Sequence, residues 1–115
     1  MNPRTFPRKR IFIVDDHEVV RDGLRTMINQ QTDLTVCGEA NSAATALATA
    51  GKSKPDAIVV DITLGDGRNG IELIKDLRAQ GQQCPILALS MHDEMLYAER
   101  ALRAGAHGYV IKNES

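Results

Sequence analysis

Short, almost unbroken apolar runs alternate along this chain with longer stretches whose apolar positions recur at helical spacing. Ile11-Phe12-Ile13-Val14 is a β-branched and aromatic run, which predicts a strand. From His17 to about Gln30, Val20, Leu24, Met27 and Ile28 repeat with a helical period. Leu34–Gly38 reads as a second, weaker strand. Ala43–Ala50 is alanine-rich and favours a helix. That helix is expected to stop before Gly51-Lys52-Ser53-Lys54-Pro55, a loop rich in chain breakers. Ala57-Ile58-Val59-Val60 is a third strand, ended by Asp61. Residues Thr63–Asn69 carry Gly65 and Gly67 and read as a loop. Ile71, Leu73, Ile74 and Leu77 mark a helix that ends near Gly81. Pro85-Ile86-Leu87-Ala88-Leu89 is the fourth strand. Asp93 can cap a helix that runs to about Ala104, with Gly105 as its stop. Gly108-Tyr109-Val110-Ile111 is the fifth strand.

Strands that alternate with helices need crossover connections, which predicts an α/β fold with a parallel sheet. The strand runs are apolar at nearly every position instead of every second one. That pattern fits strands covered on both faces, as in a doubly wound sheet. The sequence stops at Ser115, directly after the fifth strand, so a closing helix is expected to be absent from this chain.

Length and composition narrow the class. A chain of 115 residues is one domain, residues 1–115. It can bury roughly 65% of its unfolded surface and needs no disulfide or metal to fold. With no Trp and few aromatics, its core must be aliphatic. The formal net charge of −1 gives the whole chain no electrostatic case for nucleic acid. The basic cluster Arg4, Arg8, Lys9 and Arg10 reads as a solvated tail leading into the first strand. Cys37 and Cys84 form no CxxC pair and have no His at ligand spacing, so they read as small core residues in a reducing compartment. No apolar stretch reaches the ~20 residues of a membrane span, and the N-terminus lacks a signal-peptide core. These features predict a cytoplasmic protein.

The chemistry lies at the strand ends. Asp15 and Asp16 follow the first apolar run, where like charges are costly. At about 4 Å and an effective dielectric near 20, two such charges repel by roughly 4 kcal/mol. A cation accounts for the pair, and hard oxygen donors that also admit phosphate suit Mg²⁺. In open parallel sheets ligands bind beyond the carboxyl ends of strands, at the switch point in strand order. Asp15 and Asp16 after strand one, Asp61 after strand three, Ser90 ending strand four and Lys112 ending strand five all meet that rule. Any one of these aspartates alone is more often a helix cap or loop residue, but five polar side chains at one sheet edge form a constellation. Three carboxylates and one Mg²⁺ leave a carboxylate available as a nucleophile toward phosphorus. A lysine and the metal supply positive charge to the phosphoryl oxygens. His17 and His92 lie near the site but lack the partner spacing of a metal centre, and they read as solvated loop or helix-start residues.

These pieces, in order, resemble the receiver domain of bacterial two-component response regulators. The resemblance rests on Ile13-Val14-Asp15-Asp16-His17, Ile58-Val59-Val60-Asp61-Ile62, Ala88-Leu89-Ser90 and Gly108-Tyr109-Val110-Ile111-Lys112. It covers nearly the whole chain. The Asp-Asp-His opening and Leu89-Ser90-Met91-His92-Asp93 look most like the NarL/FixJ-type subfamily, whose members usually carry a C-terminal helix-turn-helix DNA-binding domain. The resemblance implies a flavodoxin-like five-stranded parallel sheet of order 2-1-3-4-5. It implies that Asp61 accepts a phosphoryl group from a sensor histidine kinase. Mg²⁺ is implied to sit on Asp16, Asp61 and the backbone carbonyl of Thr63, with Asp15 acting through water. Lys112 and Ser90 would contact the phosphate, and Ser90 with Tyr109 would form the switch pair. The implied outcome is a signalling switch that catalyses only its own phosphotransfer and dephosphorylation. Its readout would be dimerisation, or transcription control through a DNA-binding output domain outside this chain.

Three departures from the family pattern carry expectations. The loop from Ile62 to Gly70 is one residue longer, has Gly65 where Pro is frequent, and adds the charge of Asp66. It is expected to be mobile. Asn113 follows Lys112 where the family commonly has a cis proline, and a cis bond before a non-proline costs roughly 2.5–4 kcal/mol. The face that a closing helix would cover is expected to be apolar and open to self-association. Two rival functions remain. One is a phosphorylation-independent receiver-like interaction module. The other is a Mg²⁺-dependent aspartyl phosphohydrolase, but Asp15-Asp16-His17 lacks the Asp-x-Asp motif of the haloacid-dehalogenase type. A nucleotide-binding domain is disfavoured, since no Gly-rich loop follows strand one.

Overall fold

The computed structural model describes residues 7–65, 69–90 and 95–111. Over these, strands and helices alternate as β1 (Lys9–Val14), α1 (Glu18–Asn29), β2 (Leu34–Ala40), α2 (Ala43–Ser53), β3 (Ala57–Asp61), α3 (Asn69–Ala79), β4 (Ile86–Ser90), α4 (Met95–Ala104) and β5 (Gly108–Ile111). All strand pairs are parallel and the sheet order is β2-β1-β3-β4-β5, as the resemblance implied.

The register explains why the strands are apolar at nearly every position. Phe12, Val14, Ile58, Val60, Ile86 and Ala88 share one sheet face. They form the core together with Ala46 and Ala50 of α2, Leu73, Ile74 and Leu77 of α3, and Ala101 and Ala104 of α4. The small alanines let α2 and α4 approach the sheet closely. Ile11 and Ile13 point to the other face, where α1 lies over β1 and β2. Leu87 and Val110 belong to that second face as well, through the pairings Val59↔Leu87 and Leu89↔Val110. They are 36% and 43% exposed. They are partly exposed apolar side chains over β4 and β5.

Several boundaries differ from those expected, each for a local reason. β1 begins at Lys9, two residues early, because Lys9 pairs with Leu34 and the Arg10 N–H donates to the Asp56 carboxylate at 2.8 Å. Arg10 is therefore not part of a solvated tail. Its guanidinium donates to the carbonyls of Ser53 (2.7 Å) and Lys54 (3.3 Å), which places a cation on the C-terminal end of α2. α2 runs through Gly51 to Ser53, and it stops where Lys54 takes a left-handed conformation (φ 51°) before Pro55. α3 starts at Asn69, inside the expected loop. The expected cap Asp93 lies outside the described residues. Cys37 and Cys84 are half-buried against the core, as read from sequence. Among the described residues, no helix is long and apolar enough to cross a membrane.

Candidate functional site

The strand order brings β1 and β3 side by side, and Val14 pairs with Val60. The residues that follow, Asp15 and Asp61, therefore meet at the carboxyl edge of the sheet. This is where the order reverses, with β2 on one side of β1 and β3 on the other. Asp15 and Asp61 are fully buried, and so is Ser90 at the end of the adjoining β4. Buried carboxylates are rare unless they are paired or bind a cation. Carboxylate oxygens of Asp15, Asp16 and Asp61 and a ring nitrogen of His17 all lie within 4.8 Å of one another.

Each carboxylate is oriented by backbone groups. Asp15 Oδ1 accepts a hydrogen bond from the His17 N–H at 2.9 Å, which turns the chain into α1. Asp61 Oδ1 accepts two, from the Thr63 N–H (3.1 Å) and the Thr63 hydroxyl (2.9 Å). Asp16 Oδ2 accepts from the N–H of Gly65 at 3.2 Å, which links the β1 end to the loop after β3. Gly65 adopts φ 71°, a left-handed conformation that glycine takes without penalty. The frequent family proline could not hold this angle, nor could it donate this bond.

The loop after β3 is anchored at both ends. Ile62 and Leu64 are buried, and the Ile62 N–H donates to the Leu89 carbonyl at 2.9 Å. Gly70 lies against the backbone of Asp61 and Ile62 so closely that a Cβ there would overlap the Asp61 carbonyl oxygen and the Ile62 Cα. The start of α3 thus presses directly on the residue that ends β3.

Behind the acidic edge stands a second layer. Arg21 of α1 donates from Nη1 to the Asp15 carbonyl at 2.8 Å, and its Nε lies 3.3 Å from Glu39 Oε1 on β2. Glu39 also pairs with Arg25 one helical turn further on. The Asp15 main chain is in this way tied to both α1 and β2, since the Asp15 N–H also donates to the Ala40 carbonyl at 3.1 Å.

The structure brings together Asp15, Asp16 and Asp61, and it places Thr63 and Ser90 beside them at the same edge. Tyr109 pairs with Ala88 two residues before Ser90 and packs half-buried against the core. Ile111 pairs with Ser90. Lys112, Asn113, Asp66, Gly67 and His92 lie outside the described residues. Sequence reasoning gave three residues no role at the site. His17 sits at the carboxylates, its Nδ1 3.1 Å from Asp15 Oδ1 and 3.0 Å from Asp16 Oδ1. Gly70 was read only as a loop residue, although a glycine nine residues after the strand-end Asp61 could have signalled a close approach. Arg21 was not singled out in the sequence.

The donors fit a hard divalent cation. Three carboxylates converge, and Asp16 Oδ1 is buried without accepting a hydrogen bond among the described residues. A buried carboxylate oxygen left so is costly, and a metal ion satisfies it.

Comparison with known proteins agrees with this arrangement. The chain matches the response regulator receiver domain over residues 11–115. It is 45% identical over 106 residues to the DNA-binding transcriptional activator DevR/DosR of Mycobacterium tuberculosis, covering 90% of this chain and 48% of that protein. A two-component response regulator of the LuxR family from Aurantimonas sp. SI85-9A1 superimposes with a TM-score of 0.86 at 36% identity, over 94% of this chain and 76% of the other. A response regulator from Burkholderia pseudomallei, solved with a phosphorylated aspartic acid, a calcium ion and citrate, gives 0.81 at 29% identity, over 93% and 61%. The chain spans about half the length of the curated relatives it matches. A buried carboxylate cluster at the β1–β3 switch point, on a 2-1-3-4-5 sheet matched over residues 11–115, makes this chain a member of the response regulator receiver family.

Proposed function

We propose that Asp61 is the phosphoacceptor of a two-component signalling switch, and that Asp15 and Asp16 form the metal-binding half of its site. The observation that carries this reading is the convergence of three carboxylates, two of them fully buried, on adjoining strand ends.

The hydrogen bonds divide the carboxylates by role. Asp15 Oδ1 is engaged by the backbone of His17, which fits a carboxylate acting through water. Asp16 has a buried Oδ1 that accepts no hydrogen bond among the described residues, which fits a direct ligand. Asp61 is held in one orientation by the two Thr63 donors, which fits a nucleophile that must meet phosphorus in line. Asp16, Asp61 and the Thr63 carbonyl would hold Mg²⁺. Bound there, the ion supplies positive charge to the phosphoryl oxygens.

In the transfer step, a carboxylate oxygen of Asp61 bonds to phosphorus as the P–N bond of a kinase phosphohistidine breaks. The electron pair of that bond returns to the imidazole. An acyl phosphate forms on Asp61, and a later attack by water at phosphorus restores the carboxylate. Lys112 would neutralise phosphoryl charge, and Ser90 would donate its hydroxyl to a phosphoryl oxygen. Tyr109 would then move inward beside Ser90 and reshape the surface of β4, α4 and β5. The phosphoryl group thereby acts as a ligand that shifts a two-state population.

The partner is a sensor histidine kinase. The readout is homodimerisation, or control of transcription through a DNA-binding domain outside this chain, in the cytoplasm. A DNA-binding relative of about twice the matched length supports the transcriptional output. Beryllofluoride with Mg²⁺ tests the site. The expected result is a saturable change in amide NMR signals around Asp61, Ser90 and Tyr109 that Asp61→Asn abolishes. An unchanged spectrum from folded protein would overturn the reading.

A further inference from the structure

His17 is the one donor in the acidic cluster that is not an oxygen, and its placement is built rather than incidental. It is the N-cap residue of α1, in an extended conformation (φ −102°, ψ 116°), and its side chain makes no capping hydrogen bond. Its N–H is instead fixed on Asp15 Oδ1 at 2.9 Å. That turn brings the ring back over the carboxylates, with Nδ1 3.1 Å from Asp15 Oδ1 and 3.0 Å from Asp16 Oδ1. The approach to Asp16 Oδ1 is short, yet that oxygen accepts no hydrogen bond among the described residues. Nδ1 also has hydrogen-bond geometry toward Asp15 Oδ1, with roles set by the ring tautomer, and in the Nε2–H tautomer the lone pairs of Nδ1 and Asp16 Oδ1 are both left for a shared cation. An octahedral ion held at about 2.1 Å separates adjacent ligand atoms by about 3.0 Å. The Nδ1–Oδ1 spacing matches such an edge. The ring is 63% exposed, so Nε2–H can stay in water while Nδ1 faces the pocket.

We infer that His17 Nδ1 is a nitrogen ligand at the rim of the metal pocket, and that it biases this receiver toward first-row transition-metal ions over Mg²⁺. An all-oxygen pocket suits Mg²⁺, whereas imidazole adds affinity for ions such as Co²⁺ or Zn²⁺ and little for Mg²⁺. The inference rests on the acidic pocket being the metal site of the receiver reading. It concerns the selectivity of that site, which the reading leaves open.

The test is titration of the full chain with Mg²⁺ and, separately, Co²⁺, followed by calorimetry and by NMR of the His17 ring. Wild type is compared with His17→Phe, which keeps a ring and removes the donor. Co²⁺ affinity is expected to fall at least 10-fold, no less than the loss of an outer-sphere partner causes, while Mg²⁺ affinity stays within about threefold. The visible absorption of bound Co²⁺ should shift as nitrogen leaves its coordination sphere. Equal changes for both ions, or none for either, would overturn the inference and leave the receiver reading standing. Binding of neither ion to folded wild type would sink the receiver reading itself. If His17→Phe does not fold, the wild-type protein still decides. A ligand role requires that Co²⁺ broaden the His17 ring signals before those of His107, and simultaneous broadening contradicts it.

Discussion

A Cβ on Gly70 would overlap the carbonyl oxygen of Asp61, so the first turn of α3 and the end of β3 are in direct backbone contact. The Gly70 N–H also donates to the Ile62 carbonyl at 3.3 Å. Position 70 therefore sets where Asp61 and Thr63 sit. Gly70→Ala has no flexible side chain to displace and must move backbone. It is expected to cost about 1–3 kcal/mol, the usual range for overpacking. It should also weaken Mg²⁺ binding, although Gly70 contributes no donor. Urea unfolding together with a Mg²⁺ titration checks both, and a variant with wild-type stability and affinity would contradict the contact.

The clustered carboxylates predict an inverted stability effect. With no metal present, Asp16→Asn removes a like charge from beside Asp15 and Asp61, while Asn can still accept the Gly65 N–H. The variant should be more stable than wild type, by on the order of 1–3 kcal/mol after solvent screening. Saturating Mg²⁺ should reverse or erase the gap, because only wild type gains the linkage term RT ln(1 + [L]/Kd). Thermal unfolding with and without Mg²⁺ measures it. A variant less stable than wild type in chelator would show that the carboxylates do not strain the metal-free fold.

Arg78 predicts a large loss far from the acidic edge. From the end of α3 it donates to the Gly105 carbonyl (3.0 and 2.7 Å), the Gln82 carbonyl (2.8 Å) and the Cys84 carbonyl (2.7 Å). Its Nη2 also lies 3.0 Å from His107 Nδ1. One side chain thus ties the ends of α3 and α4 and the entries to β4 and β5. The planar fork of arginine serves several acceptors, and a lysine ammonium cannot reproduce it. Arg78→Ala is expected to cost about 2–4 kcal/mol by urea unfolding, and Arg78→Lys should recover less than half. Full recovery by lysine would mean that only the charge matters.

The thiols predict slow alkylation. Burial pushes both Cys37 and Cys84 above the ordinary thiol value, with Arg10 and Arg78 respectively pulling the other way. Both thiols should react slowly with iodoacetamide at neutral pH. The sign for stability follows. The protonated form is favoured in the folded state, so stability is unaffected below the ordinary thiol value of about 8.5 and falls as pH rises through the folded values. Rapid labelling of native protein at neutral pH would contradict the burial.

Much of this fold was legible because its signals are local. Ile11-Phe12-Ile13-Val14 and Ala57-Ile58-Val59-Val60 can bury residues on both faces, and that alone points to a covered parallel sheet. The strand-end positions of Asp15, Asp16 and Asp61 were legible for the same reason, since the end of an apolar run is visible in a single sequence. What escaped depends on contacts between segments distant in the chain. Gly70 is constrained by Asp61 backbone that folds back over it, and Arg10 becomes a helix cap only once α2 ends beside β1. His17 looked solvated because ligand spacing along a chain cannot show a ring turned back by its own N–H. The extension of α2 through Gly51 reflects tertiary support overriding a weak propensity.

The most direct test of the central claim is intact-mass measurement after incubation with acetyl phosphate and Mg²⁺, followed by peptide mapping. The account predicts a gain of one phosphoryl group per chain, located on Asp61, labile to hydroxylamine, lost on chelation of Mg²⁺ during loading, and absent from Asp61→Asn. A folded wild-type chain that gains no phosphoryl group, or gains it equally with Asn at position 61, would contradict it.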